Sequence, residues 1–180
     1  MCVLDFSKPV AVLSGEEFRS KEGKTFAQQV NDFFIDIGGY ANSPYGRIIL
    51  DNKGIQADKA HGIGRIKAAS FAAIKQVLEH GVVILPLGYY ATGGKKQMTS
   101  MIAAPILIGN VDYICVVVII DNLKEKRLYL HETFLKKEIP ETAASSLVRD
   151  SKAVSPQSRG DVAKVLQNYL INKSNLNIPQ

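Results

Sequence analysis

The run Tyr113-Ile-Cys-Val-Val-Val-Ile-Ile120 constrains this chain more than any other feature, because it contains no charged residue that could face water. It is rich in β-branched residues and bounded by Gly109-Asn110 and Asp121-Asn122, so it reads as a strand covered on both faces. The neighbouring segments share its character. Val82–Leu87 and Thr99–Ile108 precede it and Arg127–Leu135 follows, with turns at Gly109-Asn110 and over 122–126. Residues 88–97, carrying Tyr89, Tyr90, Gly93-Gly94 and Lys95-Lys96, read as a loop. The pattern predicts an antiparallel meander of about four strands, with 111–121 at its centre.

A helical period flanks this region. Thr25 is an N-cap for a helix over 26–37, with Phe26, Val30, Phe33 and Ile37 on one face and Gly38-Gly39 as its stop. A second helix is expected over 65–80, ending at Gly81. Residues 9–13 and 46–51 read as strands, and Asn52-Lys53-Gly54 as a turn. Residues 140–157 are small and polar, as in a linker. A last helix over about 159–171 carries Val162, Val165, Leu166 and Tyr169, and the tail 172–180 is expected to fray. The expected fold class is α+β, with N-terminal helices, then the antiparallel meander of about four strands, then a C-terminal helix.

Composition bounds the function. With 180 residues, 46% hydrophobic and 22% charged, the chain fits one globular domain. A net charge of +5 and a pI near 9.1 favour anionic partners. Cys2 and Cys115 make no disulfide framework, and Cys115 is expected to be a buried free thiol. His61, His80 and His131 stand at no zinc spacing, so neither a metal nor a cofactor is expected. The first residues lack a basic leader, and no apolar stretch approaches the roughly 20 residues of a membrane span. A cytoplasmic setting and no membrane partner are the expectation.

Two segments break their own patterns. On the helix over 65–80, Ile63, Lys67, Phe71, Ile74 and Leu78 share one stripe, which places an ammonium on an apolar face. Either Lys67 snorkels past Phe71 to solvent or it serves a site. His61 lies just upstream between Ala60 and Gly62, and Gly64 follows, so the backbone there can approach an anion. The second break is Leu128-Tyr-Leu-His-Glu-Thr-Phe-Leu135. Alternation puts Leu128, Leu130, Glu132 and Phe134 on one face, and Tyr129, His131 and Thr133 on the other. Arg65 lies off the apolar stripe and is either solvated or a phosphate contact, while Thr99 and Ser100 open a strand with hydroxyls. No Walker loop, dinucleotide fingerprint or nucleophile elbow is present. Asp58, Glu79 and Asp112 are too scattered in sequence to form a carboxylate pair.

The order of features resembles a known group. It runs Gly46-x-Ile-x-Leu-Asp51, Asp58-Lys-Ala-His-Gly62, Lys67-x3-Phe71 with Val77 and Gly81, Ala103-Ala-Pro105, Ile108-Gly109, Val116-Val-Val118 and Tyr129-Leu-His-Glu132. Over roughly residues 44–138 it is similar to domains of phage polyvalent proteins and contact-dependent inhibition toxins, grouped with barnase, EndoU, colicin and RelE-type ribonucleases. The resemblance implies a nuclease-like α+β domain over 1–138, with 139–180 as linker and C-terminal helix. It implies metal-independent cleavage of RNA, tRNA above all, either in the cytoplasm or after delivery into a target cell, with an immunity or antitoxin protein as a second partner. His61 and Lys67 match the group's polar helix-entry residues and His131 and Glu132 its strand dipeptide, which makes His61, Lys67 and His131 the candidate catalytic set, and which histidine is catalytic stays open. Glu132, Tyr129, Thr99 and Arg65 are the supporting set, and Lys95, Lys96, Tyr89 and Tyr90 the RNA-contacting set. The chemistry would be attack by the 2′-OH to give a 2′,3′-cyclic phosphate, with histidines as acid and base and Lys67 stabilising charge. On this view, loss of Lys67 costs stability little. The alternatives are a non-catalytic phage-derived binding or adaptor module, and a nucleic-acid-binding domain that does not cleave.

Overall fold

A computed structural model describes residues 4–60, 62–92, 95–139 and 158–175. Its elements are β1 (Ala11–Leu13), α1 (Phe26–Asp36), β2 (Tyr40–Ser43), β3 (Gly46–Ile49), α2 (Asn52–Ala60), α3 (Arg65–Ser70), a 3-10 turn (Phe71–Ala73) and α4 (Ile74–His80). The long strands follow as β4 (Val82–Thr92), β5 (Lys95–Ile108), β6 (Val111–Asp121) and β7 (Lys126–Leu135), then a second 3-10 turn (Lys136–Glu138) and α5 (Arg159–Asn175).

The expected four-strand antiparallel meander behind N-terminal helices is corrected to a mixed sheet of seven strands curled into a half-barrel. The order is β1-β5-β6-β7-β3-β2, with β4 also paired to β5. β4, β5, β6 and β7 run antiparallel within it, but β1 joins β5 and β3 joins β7 in parallel. β1 and β3 fall within the strands expected over 9–13 and 46–51, but runs of three or four residues carry no signal for their partners, and β2 stands out in no period-two pattern. β2 and β3 form a hairpin across Pro44-Tyr45, and the Tyr45 hydroxyl accepts from the Leu87 N–H on β4. Opposite margins of the sheet therefore come together around α4.

Several local readings are also corrected. Asn52-Lys53-Gly54 is the first turn of α2, where the Asp51 carboxylate accepts from the Lys53 N–H at 3.0 Å. An Asx cap and an isolated turn look alike in sequence. Residues 88–92 and 95–97 are strand, with Tyr90 opposite Gln97 and register shifts between Leu85 and Gly88. The helix over 65–80 is present but tightens to 3-10 at Phe71, next to Ser70, whose hydroxyl donates back to the Lys67 carbonyl at 2.8 Å. That back-bonding bends helices. α1 has the expected Thr25 cap, completed by Gln28 as a capping box. α5 extends to Asn175, into the tail expected to fray, whereas the expected linker over 140–157 lies outside the described residues.

Apolar burial divides by face. Ile102, Ala104, Cys115, Val117, Ile119 and Leu128 pack under Phe34, Ile55, Phe71, Ile74 and Leu78 of the helices. Met101, Ala103, Ile114, Val116, Val118, Leu130 and Phe134 pack under Val162 and Leu166 of α5. β6 lies between β5 and β7, with Cys115 to Ile119 fully buried. Cys115 is a free thiol, which burial pushes up in pKa, and Cys2 lies outside the described residues.

A β-bulge in β7 decides which side chains meet the helices. Val118 faces Leu130 but Ile119 faces Leu128, so Tyr129 is the extra residue. Tyr129 therefore packs beside the α5-side cluster while Leu128 turns to the other. This corrects the expected shared face of Tyr129, His131 and Thr133. α2 docks close to the same strand because residue 54 is glycine, where a Cβ would stand 2.8 Å from the Leu128 carbonyl oxygen. Gly54→Ala should lower stability by about 1–3 kcal/mol despite its better helix propensity. A urea unfolding curve with an unchanged or higher midpoint would contradict that packing.

Candidate functional site

Beyond its short pairing with β3 at Lys126 and Arg127, the outer margin of β7 meets no other strand among the described residues. Helices α2 and α3 cover it. Gly54, Ile55 and Asp58 form the buried face of α2, and Asp58 meets the exposed backbone directly. One oxygen, Oδ2, accepts from the His131 backbone N–H at 3.1 Å and from the His131 ring Nδ1 at 2.5 Å. Asp58 Oδ1 lies 2.8 Å from Lys67 Nζ. One carboxylate thus satisfies a strand N–H, fixes an imidazole and pairs an ammonium.

Lys67 does not snorkel. It is 7% exposed, and its second ion pair, to Glu132 Oε1, is 2.9 Å. Glu132 belongs by alternation to the α5 side of β7, and its Oε2 accepts from Arg159 Nη1 at 2.9 Å. A chain of alternating charge, Asp58–Lys67–Glu132–Arg159, therefore passes around the strand margin and ties α2, α3, β7 and α5 together. The two carboxylates and two cations balance. Burial alone raises the Asp58 carboxyl, but the adjoining His131 imidazole and Lys67 ammonium outweigh it and hold the group below its ordinary value of 3.8.

His131 Nε2 lies 2.8 Å from Ser70 Oγ and 3.0 Å from the Lys67 carbonyl oxygen, and the ring edge packs on Phe71 at 4.3 Å between centroids. Ser70, His131 and Asp58 thus stand in the order of a hydroxyl–imidazole–carboxylate relay. Ser70 and His131 are both fully buried, and Ser70 Oγ is further engaged by the Lys67 carbonyl and by Thr133 Oγ1 at 2.8 Å. No carbonyl substrate can reach that hydroxyl. The accessible surface is a cleft of about 500 Å³ over the same network, lined by Gly62, Gly64, Lys67, Glu132, Thr133 and Arg159, with Tyr113 and Glu138 at its side.

The other sequence-selected residues distribute unevenly. Lys67, His131 and Glu132 converge, and Arg65 lines the cleft while donating to the Glu17 carbonyl. His61 lies outside the described residues, although Gly62 and Gly64 border the cleft. Thr99 is buried in β5 opposite Ile120, in the row of Arg127, and its hydroxyl donates to the Gln97 carbonyl at 3.3 Å. Tyr89, Tyr90, Lys95 and Lys96 belong to the β4–β5 hairpin, past the end of the sheet where Met98 faces Asp121. The cleft is at the opposite end, where Tyr113 faces Leu135. Asp58, Ser70 and Arg159 are site residues that sequence reasoning missed. Reading 52–60 as helix would have put Asp58 on one face with Gly54 and Ile55, and Ser70 lies one turn from Lys67. No local signal marks Arg159. Among the described residues no group of His, Cys, Asp and Glu is arranged to hold a metal ion, and no helix is long and apolar enough to cross a membrane.

The two ion pairs of the buried Lys67 predict that it carries stability, where the sequence suggested that its loss costs little. Lys67→Ala takes the shared ammonium from two buried carboxylates, Asp58 Oδ1 and Glu132 Oε1, and should cost about 3–5 kcal/mol in urea unfolding. A loss below 1 kcal/mol would show the pairing to be dispensable. The Asp58 shift also has a sign. Its folded pKa is depressed, so its contribution is complete above the ordinary value of 3.8 and is lost as pH falls through the lower folded value. Asp58→Asn should flatten the acid limb of the stability–pH curve, and an acid limb as steep as the parent's would contradict this assignment. Comparison with protein-family models, curated proteins and solved structures gives no match.

Proposed function

We propose that the chain is a metal-independent endoribonuclease of the toxin type, acting on RNA and most naturally on tRNA. The observation that supports the reading best is the Glu132–Lys67 pair, 2.9 Å apart on the floor of an open cleft and braced from behind by Asp58 and His131. In-line attack by a 2′-OH needs a base and a cation on the nonbridging oxygens, and a carboxylate beside a fixed ammonium supplies one of each. Glu132 takes the 2′-OH proton as the 2′-oxygen bonds to phosphorus, Lys67 stabilises the charge gathering on the nonbridging oxygens, and the bond from phosphorus to the 5′-oxygen breaks. The leaving oxygen takes a proton from the general acid, the role assigned to His61 beside Gly62. The products are a 2′,3′-cyclic phosphate and a 5′-OH. His131, with both ring nitrogens occupied inside the protein, acts in this scheme as a positioning residue for Lys67.

A second reading, a non-catalytic phage-derived binding or adaptor module, draws on the complete burial of His131 and Ser70. The network would then serve only to fasten helices to β7. Incubation with total tRNA in EDTA separates the two. Cleavage leaving 2′,3′-cyclic phosphate ends is expected of the parent protein, with Glu132→Gln slower by about 10²–10⁴-fold and His61→Ala impaired. Intact tRNA after incubation with folded parent protein would favour the adaptor, and a Glu132→Gln variant as fast as a cleaving parent would remove Glu132 from the role of base.

A further inference from the structure

The two cations on Glu132 are not equivalent. The Lys67 side chain is 8% exposed and held by two carboxylates, whereas the Arg159 side chain is 51% exposed. Among the described residues Arg159 has one polar partner, Glu132 Oε2, and its guanidinium lies 4.4 Å over the Phe134 ring. Stacking fixes the plane of the guanidinium and leaves its edge nitrogens in the cleft, in a geometry suited to phosphate oxygens. Arg159 comes from α5, which is anchored by the buried Val162 and Leu166 on the far side of the sheet, so its position does not depend on the ion pair. If Arg159 releases Oε2, Glu132 still keeps Lys67 on Oε1 and is not left as an unpaired buried charge.

We propose that Arg159 is a phosphate clamp supplied by the C-terminal helix. It exchanges Glu132 Oε2 for a nonbridging oxygen when a phosphodiester enters the cleft, and so uncovers the carboxylate when substrate is present. The inference deepens the ribonuclease reading and rests on it for the consequence of uncovering Glu132, but the phosphate contact itself can be measured without cleavage. In the parent and in Arg159→Ala, binding of an uncleavable 2′-deoxy oligonucleotide is followed by fluorescence anisotropy across a salt series. Loss of one phosphate contact should make the slope of log affinity against log salt shallower by about 0.7, with Arg159→Lys retaining most of it. In RNA cleavage, Arg159→Ala should lose about 10²–10³-fold and recover part of the rate when non-denaturing guanidinium is added. A merely structural arginine would change neither the salt slope nor the response to guanidinium. A shallower slope with no cleavage by the parent would keep the clamp and remove the ribonuclease. A parent that cleaves, with an Arg159→Ala variant of unchanged slope and rate, would overturn the clamp alone. A parent that neither binds nor cleaves would overturn both.

Discussion

The structure depends on the burial of one ammonium between two carboxylates. Lys67 lies 2.8 Å from Asp58 and 2.9 Å from Glu132, on an apolar helix face where an unpaired charge could not remain. Isolated buried ion pairs often contribute little net stability, because desolvation offsets attraction. This one is extended on both sides. Asp58 also takes two N–H groups of His131, and Glu132 also takes Arg159, so most of the lone pairs lost to water find protein donors. The result is specificity as well as stability, since α2, α3, β7 and α5 can satisfy the network only in one mutual placement.

The same device controls the margins of the sheet. Open strand edges invite pairing with other chains. On β7, Asp58 receives the His131 N–H that no neighbouring strand pairs. At the end of the strand order, two strands beyond β7, Glu79 of α4 accepts from the Asn42 N–H of β2, and Lys75 donates to the carbonyls of Ile37 and Tyr40. Both are side chains on helices whose other faces are buried in the core, so covering the edge and filling the concave face are one packing event. The cleft opens where this cover stops, between the entry to α3 and the start of α5.

What could be read in the sequence follows the length scale of each signal. The strand 111–121 and the capped helix at Thr25 carry strong local patterns, and both occur. β1 and β3 were legible as short strands and β2 was not, but so few residues carry no signal for a partner, so the parallel pairings that turn the meander into a mixed sheet left no trace. Lys67 and Glu132 were each visible as a misplaced charge, but neither identified the other, because their pairing bridges 65 residues. The bulge at Tyr129 reversed the facing of Leu128 and separated Tyr129 from His131. One inserted residue is invisible to an alternation argument. Asp58 was hidden by a helix mistaken for a turn, and Arg159 carried no local signal at all.

A double-mutant cycle on Lys67→Met and Glu132→Gln, followed by urea unfolding, tests most directly whether this buried pairing organises the molecule. Each single variant leaves a buried group without its partner, whereas the double variant removes both charges. The account predicts that the double variant is more stable than the sum of the single losses implies, by at least about 1 kcal/mol. Additivity within about 0.5 kcal/mol would mean that the two groups do not act on each other, and would contradict the account.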